Sequence, residues 1–164
     1  MGPSEQVVGG ERVLVLETEV DASVDDVWQA WTTDAGLCSF FAPTCHVELA
    51  PGGAFEILFD ADAPEGQRGS EGMRVMAFEP KGMLSFTWNF PPHLTDIRSM
   101  CTLVVVRFRS LAPTRTRVTL TQIGWGEGAS WNEGFKYFER AWGAVVFPRL
   151  QKRFTDGPVD WTSD

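Results

Sequence analysis

The side chains that could do chemistry are few, and their spacing fits no common metal-binding motif. Cys38, Cys45 and His46, with His93 or Cys101, are the side chains that could hold zinc. Structural zinc sites space their cysteines closely, as in CxxC pairs, and these cysteines do not follow that pattern. On a strand, Cys45 and His46 would also point to opposite faces. We therefore predict buried thiols, with no metal and no other cofactor.

Acid–base catalysis has three candidate residues, His93 in the segment PPHLT, Glu127 and Glu133. Histidine titrates near neutral pH, so these side chains could move protons if they surrounded a cavity mouth. The simpler interpretation of His93 is an exposed loop histidine. Arg98, beside the same loop, fits a surface ion pair better than a contact to an anionic ligand. No G-x-S-x-G motif or Cys–His pair is evident, so the sequence assigns no catalytic residue and leaves enzymatic activity undecided.

The segment GWGEGASW, residues 124–131, places glycines between a predicted strand and a predicted helix, as phosphate-binding loops do. It lacks the lysine of such loops, contains Glu127 and lies in no βαβ unit. We predict instead that the glycines let the chain turn into the helix.

Composition and charge narrow the class of protein and of partner. The chain has 164 residues, which suits a single domain, and a formal charge of −8 with a pI near 4.7. Nucleic acids and anionic membranes attract clustered lysine and arginine, so we expect neither as a partner. No stretch of about 18 apolar residues and no signal peptide is visible. The odd cysteine count argues against a disulfide framework, so we expect a cytoplasmic protein.

A strand followed by two short helices is predicted at the start of the domain. Residues 12–20 are rich in β-branched and aliphatic side chains, which favours a strand. Ser23 and Asp26 fit the cap of a helix whose apolar residues repeat at helical spacing, and Pro43 ends a second helix. The predicted division of the chain is a flexible arm, a single domain and a C-terminal tail, at residues 1–11, 12–156 and 157–164.

Three hairpins are predicted next, because apolar and polar residues alternate around three turn sequences. We place the turns at residues 51–53, 79–82 and 111–113. The registers that follow pair Val47 with Ile57, Ala77 with Leu84, Val75 with Phe86, and Val104 with Leu120. Each strand then has one apolar face, since a slip of one residue would invert every side chain.

The third hairpin carries polar side chains on both of its faces. Thr102 and Gln122 fall opposite each other on the apolar face, where buried polar groups need partners. They could form a cross-strand hydrogen bond or a polar anchor for a ligand, and both interpretations stay open. The outer face carries a stripe of arginines, which is either a solvated strand face or a surface for an acidic partner: Arg107, Arg109, Arg115 and Arg117.

An aromatic helix is predicted at the end of a chain that holds seven tryptophans and 12 phenylalanines. Ser130 and Glu133 fit a capping box at its start. Trp131, Phe135 and later apolar residues recur at three- and four-residue steps and give the helix one apolar face. Pro148 is expected to kink it, because proline removes a backbone donor. An antiparallel sheet with one apolar face must be covered, and this helix is the predicted cover.

Three sequence motifs resemble those of a known superfamily. They are ASVDDVWQAWT in the first helix, PGGAFEI in the first hairpin and EPKGMLSFTW in the second. With the order of elements, they resemble the START/pollen-allergen-like (SRPBCC) superfamily over about residues 12–154. Within it, the chain is most similar to the family related to the C-terminal domain of the activator of the heat-shock-protein-90 ATPase.

The resemblance implies an α+β helix-grip fold. In it, a curved antiparallel sheet wraps around a long C-terminal helix, two short helices follow the first strand, and a cavity lies between sheet and helix. That space could be a filled aromatic core or a pocket for a small hydrophobic or aromatic molecule. The expected pocket residues are Phe41, Phe55, Ile57, Trp88, Phe90, Thr102, Val104, Gln122, Trp131, Phe135, Phe138 and Trp142.

Two alternative functions are implied by the same superfamily. One is an enzyme of cyclase or hydrolase type that uses the same cavity. The other is a co-chaperone-like module that binds a protein partner. The oligomeric state and the identity of any ligand do not follow from the sequence.

Overall fold

The computed structural model describes residues 2–162. The strands are β1 Ser4–Val8, β2 Glu11–Val20, β3 Thr44–Val47, β4 Phe55–Leu58, β5 Val75–Glu79, β6 Met83–Asn89, β7 Cys101–Ala112 and β8 Arg115–Ile123. The helices are α1 Val24–Thr32, α2 Asp34–Cys38, α3 Ala129–Arg140 and α4 Phe147–Asp156, with a π-helical stretch Ala141–Val146 between the last two. Within residues 2–162, no helix combines the length and hydropathy that crossing a membrane requires.

The strands form a six-stranded antiparallel sheet in the order β1-β2-β8-β7-β6-β5, and β3 and β4 form a separate hairpin. Two single bridges, Ala54–Arg74 and Leu58–Gly69, join the β3–β4 hairpin to the chain that leads into β5. Residues alternate between buried and partly exposed along β7 and β8, as a sheet with one apolar face requires. The C-terminal helix covers that face, so the predicted helix-grip architecture is confirmed.

Helix α1 begins as predicted, and α3 does not. Ser23 Oγ accepts a hydrogen bond from the Asp26 backbone N–H at 3.2 Å, which satisfies one of the unpaired donors of the first turn. The predicted capping box at Ser130 is wrong, because the residue at the cap position of α3 is Gly128, two residues earlier. The Ser130 hydroxyl instead donates to Asp96 Oδ2 at 2.6 Å and ties the helix to the loop before β7.

The first hairpin differs from its predicted register by two residues. Val47 pairs with Phe55, because the turn is wider than three residues. The backbone of this turn forms hydrogen bonds with β5. Gly52 N donates to Val75 O at 2.7 Å, and Val75 N donates to Gly53 O at 2.8 Å. A shift of two keeps every side chain on its predicted face. It also leaves Phe59 beyond the paired strand and 48% exposed.

The second hairpin keeps part of its predicted register. Val75 pairs with Phe86 as expected, but Ala77 pairs with Ser85 and not with Leu84, because a bulge interrupts β5. A bulge places two residues opposite one and turns a side chain toward the other face. Ser85 was expected to point outward, but it is buried, and its Oγ accepts from the Ala77 N–H at 3.1 Å.

The third hairpin also differs from the prediction by two residues. Val104 pairs with Gln122, where Leu120 was predicted. The turn is shorter than the predicted three residues, because Ala112 pairs with Arg115. A bulge in β7 between Ser110 and Ala112 accommodates the unpaired residue. The faces are again preserved, so the apolar side of this hairpin is the predicted one.

Both ends of the described chain are attached to the domain. Residues Ser4–Val8 of the expected arm pair with β2 as an edge strand, although their side chains are all exposed. In the expected tail, Val159 N donates to Ser39 O at 2.9 Å and Trp161 Nε1 donates to Cys38 O at 2.6 Å. The domain boundaries themselves remain a prediction.

Candidate functional site

A small cavity of about 90 Å³ lies between the C-terminal helix and the sheet, where β6 ends. Six of its 13 lining residues are aromatic, and these rings come from five different parts of the chain: Phe41, Phe59, Trp88, Tyr137, Phe138 and Trp142. The rings pack closely, with centroids 5.5 Å apart for Trp88 and Trp142 and 5.7 Å for Phe41 and Trp142. Phe59 and Tyr137 are 48% and 43% exposed, so they form the side of the cavity nearest to solvent.

The helical wall of the cavity is the π-helical stretch Ala141–Val146. The backbone N–H that follows it donates to Trp142 O, five residues back. A π turn inserts a residue into the helical ladder and is frequent at functional sites. Three of its side chains, those of Ala141, Trp142 and Val146, line the cavity. Pro148 has no N–H to donate back into the continuous helix, and the π-helical stretch, the irregularity expected near this proline, lies just before it.

Gln122 and Thr102 connect the sheet to the cavity wall. Gln122 Nε2 donates to Thr102 Oγ1 at 2.8 Å, and Thr102 Oγ1 donates to Trp88 O at 3.2 Å. Gln122 Oε1 accepts from Trp142 Nε1 at 2.9 Å, and its backbone carbonyl accepts from Trp125 Nε1 at 2.8 Å. Both side chains are buried. The cross-strand hydrogen bond between Gln122 and Thr102 is therefore present. Gln122 also binds two tryptophans, Trp142 in the cavity wall and Trp125 in the neighbouring core.

The other end of the helix packs without a comparable cavity. A Cβ on Gly134 would lie 2.6 Å from the Phe90 ring, so only glycine lets the helix come this close. Phe135 packs on Trp125 with centroids 4.8 Å apart, and the Arg12 guanidinium covers its ring at 3.9 Å. This region is therefore a filled aromatic core.

Arg98 joins two loops at the edge of the cavity. Its Nε and Nη2 donate to Gly66 O at 3.0 and 2.6 Å, Nη2 also donates to Gly69 O at 2.9 Å, and Nη1 donates to Phe90 O. Glu71 Oε1 lies 3.9 Å from Nη2. Burial lowers the pKa of Arg98, and Glu71 opposes that effect. Arg98 therefore holds the loop after β4 against the loop after β6.

The cavity brings together some of the expected pocket residues and not others. Phe41, Trp88, Phe138 and Trp142 line it. The remaining eight lie outside its wall, in the packed interior or at its border: Phe55, Ile57, Phe90, Thr102, Val104, Gln122, Trp131 and Phe135.

The candidate acid–base groups lie at the surface. His93 Nε2 is 3.9 Å from Glu133 Oε1, and both side chains are more than half exposed. The His93 ring is 6.0 Å from the ring of Tyr137, which lines the cavity, but His93 itself does not. Glu127 is exposed on the glycine loop. None of these three side chains lines the cavity.

The glycine loop before α3 is packed against the helix that it precedes. A Cβ on Gly126 would lie 2.5 Å from the Trp131 indole. Gly124 and Gly128 have positive φ values of 90° and 118°, which favour glycine. These glycines serve the turn, as predicted, and bring the indole onto the backbone.

The cysteines are free thiols in three different environments. Cys45 is buried, its Sγ donates to Ala42 O at 3.4 Å, and burial raises its pKa. Cys38 is half-buried, and Cys101 is exposed, contrary to the expectation of buried thiols. Among residues 2–162, no three histidine, cysteine or acidic side chains are grouped so that they could hold a metal ion.

The arginine stripe is partly neutralised by the neighbouring strand. Arg115 and Arg117 both contact the Glu19 carboxylate, Arg117 at 3.3 Å, and these contacts lower the pKa of Glu19. Arg107 and Arg109 are exposed. A protein partner for this face remains a prediction.

Sequence reasoning missed several residues of the cavity wall: Phe59, Gly69, Asn89, Pro91, Pro92, Tyr137, Ala141 and Val146. Tyr137 and Ala141 lie four residues apart and next to Phe138 and Trp142, so a wider helical stripe would have included them. Phe59 carried no such signal, because the predicted register paired it inside the first hairpin.

Several solved structures share this fold. The protein MLL2253 from Mesorhizobium loti is 21% identical over 90% of this chain and 100% of its own, with a TM-score of 0.70. The Aha1 dimer from Colwellia psychrerythraea is 19% identical over 88% and 97%, with a TM-score of 0.66. CalU16 from Micromonospora echinospora is 17% identical over 98% and 85%, with a TM-score of 0.63. At these identities the similarity shows the fold alone.

The family is shown by sequence. No curated protein matches the chain. The family described as activator of Hsp90 ATPase homolog 1-like protein matches residues 21–155, which include helices α1 to α3, strands β3 to β8 and the cavity wall. With the helix-grip fold and the predicted motifs in agreement, the chain belongs to the activator of Hsp90 ATPase homolog 1-like family.

Proposed function

We propose that the protein binds a small hydrophobic or aromatic molecule in the cavity between the sheet and the C-terminal helix. The observation that carries the proposal is an aromatic-walled cavity in an interior that is otherwise densely filled with rings. Interiors normally close such spaces, whereas ligand pockets are apolar with a few polar groups. Here the polar groups on the wall are Asn89, Arg98 and the Tyr137 hydroxyl.

The size of the cavity limits the ligand. An apolar cavity of about 150 Å³ holds benzene, and this one measures about 90 Å³. A single ring therefore requires a modest outward movement of the wall. Phe59 and Tyr137, each about half exposed, are the side chains with room to move.

The π-helical stretch supports the same function. It replaces regular helix at the point where Trp142 and Val146 face the cavity. Regular helix would have kept every hydrogen bond in the four-residue pattern. The π-helical hydrogen bonds therefore lie at the cavity, as is frequent at functional sites.

Cyclase or hydrolase activity at this cavity has less support. It would need a titratable or nucleophilic side chain facing the ligand. Thr102 and Gln122 are occupied by each other and by Trp142, and His93 points to solvent. Binding is therefore the function we propose. A cytoplasmic location belongs to the same proposal, since the cysteines are free thiols.

Toluene is a suitable probe, because Trp88 and Trp142 report on it through intrinsic fluorescence. The wild-type protein should show a saturable change on titration with toluene. Ala141→Leu, which fills the cavity, should abolish it. Ala144→Leu is the matched control, because Ala144 lies in the same π-helical stretch but faces outward. Saturation that is equal in both variants, or absent in the wild type, would contradict the proposal.

A further inference from the structure

The wall of the cavity holds one positive charge. The inference drawn from it, about the charge of the ligand, rests on the proposed binding function. Among the described residues that line the cavity, Arg98 is the only cationic one. Its side chain is 17% exposed, so water screens the charge weakly. A charge at the wall of an apolar space selects between ligands of different charge.

The hydrogen bonds of Arg98 leave one donor. A guanidinium has five N–H groups. Four of them reach carbonyl oxygens, those of Gly66, Gly69 and Phe90. In the part of the chain that the structure describes, no acceptor takes the second N–H of Nη1. That nitrogen bonds Phe90 O, at the start of the loop whose two following prolines line the cavity.

The nearest carboxylate, that of Glu71, offsets this charge without a hydrogen bond to it. Glu71 is 3.9 Å from Nη2, beyond hydrogen-bond distance. Its oxygens accept from the backbone N–H groups of Gly66 and Arg68, at 2.7 and 2.5 Å. The acceptors of Arg98 are neutral carbonyls, so a negative group from outside would be its first ionic hydrogen-bond partner.

We propose that the preferred ligand is an aromatic carboxylate, with its ring among the cavity aromatics and its carboxylate on the free Nη1 donor of Arg98. A hydrogen bond between two charged groups is roughly twice as strong as one between neutral groups. Neutral rings of the same shape gain only the apolar contact. The cavity therefore recognises shape through Trp88 and Trp142 and charge through Arg98.

The test compares benzoate with toluene, which have similar shape and differ in charge, by fluorescence titration of the wild type, Arg98→Gln and Glu71→Gln. Wild type should bind benzoate more tightly than toluene. Arg98→Gln should weaken benzoate binding by about tenfold more than it weakens toluene binding. Glu71→Gln removes the opposing negative charge and should strengthen benzoate severalfold.

The two variants separate charge from loop structure. Each removes contacts that hold the loop at Gly66, so a loosened loop would change benzoate and toluene in the same direction in both. Changes in benzoate affinity relative to toluene affinity that have opposite signs in the two variants support the proposal, and equal changes for both ligands overturn it. Equal affinity of wild type for benzoate and toluene overturns it and leaves the binding function intact, even if Arg98→Gln fails to fold. Absence of binding by either compound overturns both.

Discussion

The two ends of the C-terminal helix use the same kind of side chain and produce opposite interiors. At the α3 end, Gly134 lets the backbone approach Phe90, and Phe135 fills the space against Trp125. At the π-helical stretch, Trp142 packs on Trp88, and both rings line a cavity. Aromatic content is therefore not what makes a core solid or hollow. A glycine that admits the Phe90 ring accompanies the filled region, and a π-helical stretch accompanies the hollow one.

The largest loss of stability is expected from a substitution in the filled aromatic core near Phe135. Phe135→Ala should lower the free energy of unfolding by about 3–5 kcal/mol, because it deletes a buried ring that cannot be replaced by collapse. Tyr137→Ala, two residues further on and 43% exposed at the cavity side, should cost much less. Urea unfolding of both variants measures the difference. Equal losses would mean that the two ends are packed alike.

Removing the link between sheet and cavity should have the next largest effect. Gln122→Met keeps the shape of the side chain and leaves the Trp142 indole N–H and Thr102 without their partner. The expected loss is about 1–3 kcal/mol, the cost of an unsatisfied buried polar group. Gln151→Met is the control, since its amide bonds Thr18 at the exposed surface. Denaturant unfolding of the two variants should separate them clearly, and similar stabilities would argue against the buried network.

A pair of glycine substitutions tests the close approach directly. Gly134→Ala should destabilise the protein by about 1–3 kcal/mol through overpacking on Phe90, although alanine favours helix. Gly143→Ala has only the Pro3 ring within reach, at 3.1 Å, and should be neutral or stabilise by up to about 1 kcal/mol. Thermal unfolding of both proteins measures these effects. The same sign at both positions would show that the approach at Gly134 is not tight.

The smallest expected effect lies outside both ends, at His46. Hydrogen bonds to Asp34 and then Glu48 raise the pKa of His46 above 6.5. A group whose pKa is raised by folding adds stability below its unfolded pKa and loses it as pH rises through the folded pKa. Wild type should therefore exceed His46→Gln in stability below pH 6.5 and converge with it at higher pH. Toluene binding should be the same in both proteins, because this cluster is exposed and remote from the cavity.

If the stability of wild type relative to His46→Gln increased with pH, the contacts of His46 with Asp34 and Glu48 would not stabilise the protonated imidazole. A change in toluene binding would instead mean that the outer hairpin and the cavity are coupled.

The fold was predictable because period-two patterns survive errors in register. Val47 and Val104 each pair two residues away from the predicted partner, yet both keep their predicted face. The α1 cap at Ser23 was local and was predicted correctly. Ser130 was not, because Asp96, distant in sequence, competes for its hydroxyl.

The site was predictable only in part, for a physical reason. Trp88 and Trp142 follow from alternation and helical spacing. The hollow itself adjoins a π-helical stretch and the side chain of Arg98, which reaches carbonyls 29 and 32 residues away. Such long-range backbone contacts leave no periodic signal in the sequence. The same limit applies to Phe59, whose exposure follows from how the first turn pairs with Val75.

The most direct test of the account is a nuclear magnetic resonance titration of the indole N–H signals with toluene. The chain has seven tryptophans, and only Trp88 and Trp142 line the cavity among those the structure describes. Their signals should shift and saturate together, while the signal of Trp28, whose ring packs on Phe108, stays in place. Uniform shifts, or none at Trp88 and Trp142, would contradict a ligand site at the hollow end of the helix.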